Sequence, residues 1–139
     1  MTRTEQNRMS MEKFAQAINT NDIALAEELI DEKAEFSTPV SPEKLYGGKG
    51  YMSVVAFMRQ SFSDVRWDMR DMAAEEDKAA VYWTCSGTHD GEFMGLAPTG
   101  KKFSFSVMNF YYFNDKGKII NDVAAEGLIG LFRALGLAK

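Results

Sequence analysis

The sequence predicts an α+β fold in one domain, and three observations carry that expectation. Up to Ser61 the apolar residues recur at helical spacing. From Val65 onward they fall into strand-length runs separated by turn signals. A last helical stretch, Leu128 to Leu135, closes the chain. Helices followed by consecutive long strands give an antiparallel meander with the helices packed on one face of a curved sheet.

In chain order, the first helix is expected from about Thr4 to Asn19, with Met11, Phe14, Ala15 and Ile18 on one buried face. Thr20-Asn21-Asp22 breaks it, and Asn21 or Asp22 caps a second, short helix carrying Leu25, Ala26, Leu29 and Ile30. Ala34 to Thr38 reads as a short strand ended by Pro39 and Pro42. A third helix, about Gly50 to Ser61, aligns Tyr51, Val54, Val55 and Met58 with Phe62. Four strands are then expected: Val65 to Ala74, Ala79 to Phe93, Lys101 to Phe113 and Lys118 to Ala125. The closing helix places Leu128, Leu131, Phe132 and Leu135 on one face. It is too short to span a bilayer and is expected to cover an apolar edge or the mouth of the sheet.

At 139 residues the chain suits a single domain over its whole length, large enough to bury roughly two thirds of its unfolded surface. A hydrophobic share of 45% with 26% charged residues is that of a packed domain and not of a disordered one. The net charge is −4, and Lys and Arg are scattered, so neither nucleic acid nor a membrane surface is an expected partner. The single Cys85 lies in an apolar strand run and reads as a small buried residue of a reducing compartment, the cytoplasm. His89, the one histidine, follows four residues later, roughly 13 Å along an extended strand, which argues against a Cys-His nucleophile. One histidine and one cysteine without ligand spacing predict no metal, and Gly47-Gly48-Lys49-Gly50 lacks the spacing of a phosphate loop, so no cofactor is expected.

The turn Asn114-Asp115-Lys116-Gly117 predicts the pairing of the last two strands. A two- or four-residue loop centred there sets Asn109 opposite Asp122, Val107 opposite Ala124 and Phe105 opposite Glu126, with Tyr111 and Ile120 on the same face; a bulge would shift this register. That face is apolar with a polar centre, as a ligand cavity tends to be. Its alternative is a solvated face on which Asn109 and Asp122 bond each other. The opposite face, with Met108, Phe110, Tyr112, Ile119 and Val123, is also too apolar for water, which predicts a second layer or a homodimer formed by sheet packing. Nine methionines and ten phenylalanines suit an apolar ligand, with Trp67, Met69, Tyr82, Trp83, Met94 and Met108 as adaptable walls, although such residues equally fill an ordinary core.

The phrase from Trp83 through Gly87-Thr88-His89-Asp90-Gly91-Glu92-Phe93, then Gly95-Leu96-Ala97-Pro98-Thr99-Gly100, and the ending from Lys118 to Glu126 resemble the SnoaL-like polyketide cyclases, also called ester cyclases. The resemblance implies the cone-shaped fold of nuclear transport factor 2, shared with ketosteroid isomerase, scytalone dehydratase and limonene epoxide hydrolase. It also implies a cofactor-independent intramolecular aldol step begun by a carboxylate on the last strand. Aligned on Gly117-Lys118-Ile119, that carboxylate is expected where this chain has Ala124, and a methyl group accepts no proton. Asp122 stands two residues earlier, where the family commonly has histidine, and Asn109 stands where a cyclase histidine is expected.

Asp122 and His89 are therefore the candidate catalytic groups, the first as a rescued base, the second as an acid-base group at the cavity mouth or as a loop-ordering residue. Phe105, Val107, Asn109, Tyr111, Ala124, Glu126, Trp83 and Tyr51 are the candidate ligand-binding set. Glu126, four residues along the strand, is too far from Asp122 for a carboxylate dyad and suits a solvated or helix-capping role. Three functions stay open: a cyclase or isomerase acting on a small polyketide-like or other apolar carbonyl compound, a non-catalytic binder of such a ligand, and a dimerisation module.

Overall fold

A computed structural model describes residues 1–137 of the chain. Helix α1 (Arg3–Thr20) starts at a capping box in which Thr2 Oγ1 accepts from the Glu5 N–H and the Glu5 carboxylate accepts from the Thr2 N–H. Its buried face is Asn7, Met11, Phe14, Ala17 and Ile18. Asn21 ends it in a left-handed conformation, φ 55°, and Asp22 caps α2 (Ile23–Leu29) by accepting from the Leu25 N–H at 3.1 Å. Strand β1 (Glu35–Thr38) turns into β2 (Ser41–Tyr46), a strand the sequence pattern did not suggest. Pro42 is compatible with it because this hairpin is two-stranded and leaves an outer edge free of ladder bonds. Helix α3 (Gly47–Ser61) follows at once, three residues earlier than expected.

The main sheet runs β3 (Arg66–Ala74), β4 (Lys78–Thr88), β5 (Lys102–Phe113) and β6 (Ile119–Ala124), antiparallel throughout and in chain order. Strand β4 ends at Thr88 and not at Phe93 as the pattern suggested. The Asp90 and Gly91 N–H groups leave the sheet to bond the Ser61 carbonyl at the end of α3. A side chain at Gly91 would collide with the Gln60 carbonyl, so this crossing of loop and helix needs glycine.

The β5–β6 register differs from the expected one by two residues. Asn109 lies opposite Ala124, and Asp122 lies opposite Tyr111. One residue of the shift comes from the turn, where the Asn114 N–H bonds the Lys118 carbonyl around a three-residue loop, and the other from a bulge, with Tyr112 opposite Asn121 but Phe113 opposite Ile119, so Ile120 is the extra residue. An even shift preserves the faces from Asn121 onward, so Asn109, Tyr111, Asp122 and Ala124 still share the concave side. Ile119, placed by its sequence position on the outer face, is instead 1% exposed and in the core.

The core lies between the concave face of the sheet and the helices. Phe14 is its centre, touching Tyr51, Tyr111 and Trp83 at ring distances of 5.1, 5.4 and 6.2 Å. Asn7 ties α1 to the β3–β4 turn by donating its Nδ2 hydrogens to the Glu75 and Glu76 carbonyls at 2.9 and 3.0 Å. Asn7 is 2% exposed, so Asn7→Ala leaves two carbonyls without partners and is expected to cost about 1–3 kcal/mol in urea denaturation. An unchanged midpoint would show that water replaces the amide without penalty.

Helix α4 (Leu128–Ala134) departs from expectation. None of its residues is buried, and Leu128 and Leu131 are among the exposed apolar side chains. Within the single chain it covers neither the sheet edge nor the mouth. No helix among the described residues is long and apolar enough to cross a membrane.

Candidate functional site

Asp122 on β6 and Asn109 on β5 are diagonal neighbours on the concave face, and Asn109 Nδ2 donates to Asp122 Oδ1 at 2.9 Å. The sequence register would have set them directly opposite; the three-residue turn and the bulge at Ile120 together offset them by one pleat and leave them in bonding distance. Tyr111, opposite Asp122, is 2% exposed and accepts a hydrogen bond at its hydroxyl from Trp83 Nε1 at 3.0 Å. Tyr51 of α3 closes the group. Its ring lies 5.1 Å from that of Phe14, which also meets the Tyr111 ring at 5.4 Å.

Burial governs the electrostatics of this cluster. It pushes the Asp122 carboxyl above the usual aspartate range, because the charged form loses water, while the hydrogen bond from Asn109 and the neighbouring Tyr51 pull the other way. Tyr51 is pushed well above the ordinary phenol range, first by burial and then by the Asp122 charge. Burial likewise raises Tyr111, and Tyr51 and Asp122 add to the effect. Both phenols stay protonated near neutrality. The structure thus brings together Asp122, Asn109, Tyr111, Tyr51 and Trp83 of the candidate set.

The other candidates sit elsewhere. Val107 and half-exposed Phe105 continue along β5 toward the open end of the concave face, and Ala124 and Glu126 are exposed there. The Glu126 carboxylate lies beside Gly130 in the first turn of α4, where the missing side chain makes room for it. His89 lies in the loop after β4, with the Thr99 hydroxyl 2.9 Å from Nδ1 and its ring 5.7 Å from that of Phe62. It pairs near Lys101 while Asp122 pairs with Tyr111, ten residues and so roughly 30 Å apart along β5. His89 is 6% exposed and orders the loop; the geometry does not bring it to the Asp122 cluster.

Cys85 is fully buried, and desolvation lifts its thiol to about 11, a value that leaves it without nucleophilic character. Of the expected walls, Tyr82 and Met108 face outward and Met94 is exposed in the loop. A largely apolar groove of about 440 Å³ lies outside the cone, on the outer sheet face, where Tyr82, Met108, Phe110 and Val123 meet Asp71. No group of three or more potential metal-ligating side chains occurs among the described residues.

Helices held in the concavity of a curved four-stranded sheet, with polar groups at its centre, define a single-domain α+β cone of the nuclear-transport-factor-2-like class. The profile of the SnoaL-like polyketide cyclases matches residues 8–135, and the chain belongs to that family. Solved structures agree over nearly the whole chain. IdmH of Streptomyces antibioticus is 26% identical at a TM-score of 0.74, covering 94% of this chain and 99% of its own. TsrD of Streptomyces laurentii is 23% identical at 0.76, with 96% of each chain covered. A SnoaL-like polyketide cyclase of Agrobacterium tumefaciens is 19% identical at 0.69, covering 98% and 99%. Among curated proteins, none matches the sequence.

Proposed function

We propose that this protein is a cofactor-independent catalyst of the SnoaL-like kind, acting on a small, largely apolar carbonyl compound of polyketide type, with Asp122 as the base in place of the carboxylate expected at Ala124. The observation that carries this reading is a carboxylate on the concave face, desolvated yet held by Asn109 at 2.9 Å, one pleat from Ala124. A carboxyl shifted upward by burial binds a proton more strongly than a solvated one and so makes a better base.

In the proposed reaction the Asp122 carboxylate takes the proton from a carbon next to a carbonyl. The C–H electron pair moves into the carbonyl to give an enolate, whose oxygen the second Asn109 N–H can bond. The enolate carbon attacks a second carbonyl of the same molecule, and protonated Asp122 returns its proton to the new alkoxide. Every proton and electron pair is accounted for without a cofactor.

The test is α-carbon deuterium exchange in β-dicarbonyl and polyketide-ester compounds, followed by proton NMR with the wild type and Asp122→Asn. Exchange that is present in the wild type and lost in the variant supports the base. Saturable binding without exchange favours a non-catalytic ligand binder. The absence of both binding and exchange removes the proposal and favours the dimerisation module, a reading supported by the rings of Phe14, Tyr51, Tyr111 and Trp83 that fill the base of the cone.

We further propose a homodimer, packed through the outer sheet face. Met108, Phe110 and Val123 are 59%, 47% and 50% exposed there, an apolar patch that one chain leaves in water. Phe110→Glu puts a charge at its centre and is expected to convert a dimer into a folded monomer in size-exclusion chromatography with light scattering. A wild type that is monomeric at micromolar concentration sinks this interface. The single buried thiol fits a reducing compartment such as the cytoplasm.

A further inference from the structure

We infer that α4 is the missing wall of the ligand site: turned about Gly127, it lays Leu128, Leu131 and Leu135 over the open end of the concave face and roofs the space in front of Asp122. The inference rests on the proposed function for the identity of the ligand, an apolar compound; the closure itself is a property of the chain and needs no turnover.

The open end of the cone is unfinished. Strand β5 pairs with β4 from Lys102 to Tyr112, but with β6 only from Asn109 onward. Phe103, Phe105 and Val107, on the side of Asn109 and Tyr111 by strand alternation, therefore form a ledge with no strand beside it among the described residues. The Phe103 ring lies 4.9 Å from that of buried Phe62, and the Phe105 ring lies 5.9 Å from that of Phe103. Apolar surface thus runs without a break from the core to Phe105, which is 49% exposed.

Helix α4 is unfinished in the complementary way. It has seven residues, Gly130 among them, and no side-chain cap at its start, well short of the roughly 12–15 residues at which a helix holds in water without packing. Leu128, Leu131 and Leu135, at i, i+3 and i+7, are 70%, 51% and 65% exposed. The tether decides which surface they meet. The Ala125 N–H still bonds the Met108 carbonyl at 3.3 Å, so Leu128, three residues on, stays within roughly 10 Å of that point. A seven-residue helix is about 10 Å long, which is also the length of strand from Met108 to Phe105. Gly127 between them has φ 64° and ψ −155°, a conformation open essentially to glycine alone, and no further atom lies within 4 Å of where its side chain would start. Rotation there meets no obstacle. So short a tether holds α4 at its own ledge at an effective concentration on the order of millimolar, above that of a second copy in micromolar solution. Closed, the leucines face Phe105 and Val107, keep water from the carboxylate one pleat beyond Ala124, and select a ligand that is uncharged at that end.

The experiment is disulfide trapping in the full chain at micromolar concentration with oxidised glutathione, read on non-reducing gels and by mass spectrometry. Phe105→Cys is combined with Leu131→Cys and, separately, with Leu135→Cys; all three positions are exposed, so the variants are expected to fold. Cys85 is buried with its thiol raised to about 11 and does not compete. Ser104→Cys, one residue away on the outer face of the same strand, replaces Phe105→Cys in the controls. An intrachain disulfide from Phe105→Cys, and none from Ser104→Cys, is expected, because the bond forms only where the Cα atoms approach within about 7 Å. Bonds from Ser104→Cys alone, bonds between chains alone, or no bond with either leucine position would overturn the closure. Binding of the neutral fluorescent probe N-phenyl-1-naphthylamine tests the wall: Leu131→Asp is expected to weaken it about tenfold at an unchanged melting temperature, and equal binding by variant and wild type would overturn that role. An intrachain disulfide without deuterium exchange in any carbonyl compound would remove Asp122 as the base and leave the closure standing; exchange without the disulfide would do the reverse.

Discussion

Asp122→Asn is expected to abolish turnover while making the protein more stable at neutral pH. A positioned base contributes roughly 10²- to 10⁴-fold to rate, and asparagine cannot take a proton, so the loss should be at least of that order. The asparagine carbonyl can still accept from Asn109, which leaves the β5–β6 pairing supported. The stability gain follows from the direction of the shift. The folded carboxyl sits above the usual aspartate range because of burial, so between the unfolded and folded pKa values the native state binds more protons than the unfolded chain, and stability falls as pH rises through that window. Above it the penalty is fully present, and the neutral amide removes it. Thermal melts at pH 7 and at pH 3 measure this. Asp122→Asn should melt above the wild type at the higher pH, and the difference should vanish at the lower. A variant less stable at both would mean that Asn109 and Tyr51 outweigh desolvation and that Asp122 is a structural acceptor.

Phe14→Ala is expected to be the most destabilising single substitution in the cone. Phe14 is 1% exposed and meets the rings of Tyr51, Tyr111 and Trp83, so truncation removes the transfer energy of the ring and leaves a cavity that three stiff neighbours cannot close. The expected cost is about 3–5 kcal/mol, which in a domain of this size lowers the melting temperature by roughly 10–20 °C. The same change opens space beneath Asp122. An apolar compound of benzene size that raises the melting temperature of Phe14→Ala, and not that of the wild type, would show that the native core ring occupies room a ligand could use. A loss below about 1 kcal/mol would mean that the core relaxes around the missing ring.

Much of the fold is legible in the residue pattern. The i, i+3, i+4, i+7 run of Met11, Phe14, Ala15 and Ile18 marks α1, and the alternation along Lys102–Phe113 marks a strand with two distinct faces. Placing Asn109 and Asp122 on one face needs only strand parity, which survives a shift of two. What parity cannot reveal is the bulge at Ile120, because the extra residue is accommodated by local twist and leaves no mark in the hydrophobic pattern. Strand β2 is hidden because Pro42 argues against a strand and only the hairpin's open edge admits it. The exposure of α4 is equally hidden, since an apolar helix face does not say which surface will cover it.

Taken by itself, the sequence determined the α+β class, the order of the helices and of the four long strands, the family and the placing of Asp122 as the acidic side chain at the polar centre of the concave face, since periodicity and residue type are local properties. Only the tertiary structure decided that Tyr51, from a helix more than fifty residues away, joins Tyr111 and Trp83 behind that carboxylate, and that His89 does not. Hydrogen-bond partners and desolvation depend on which groups close packing brings together across the cone, and a one-dimensional pattern holds no record of that distance.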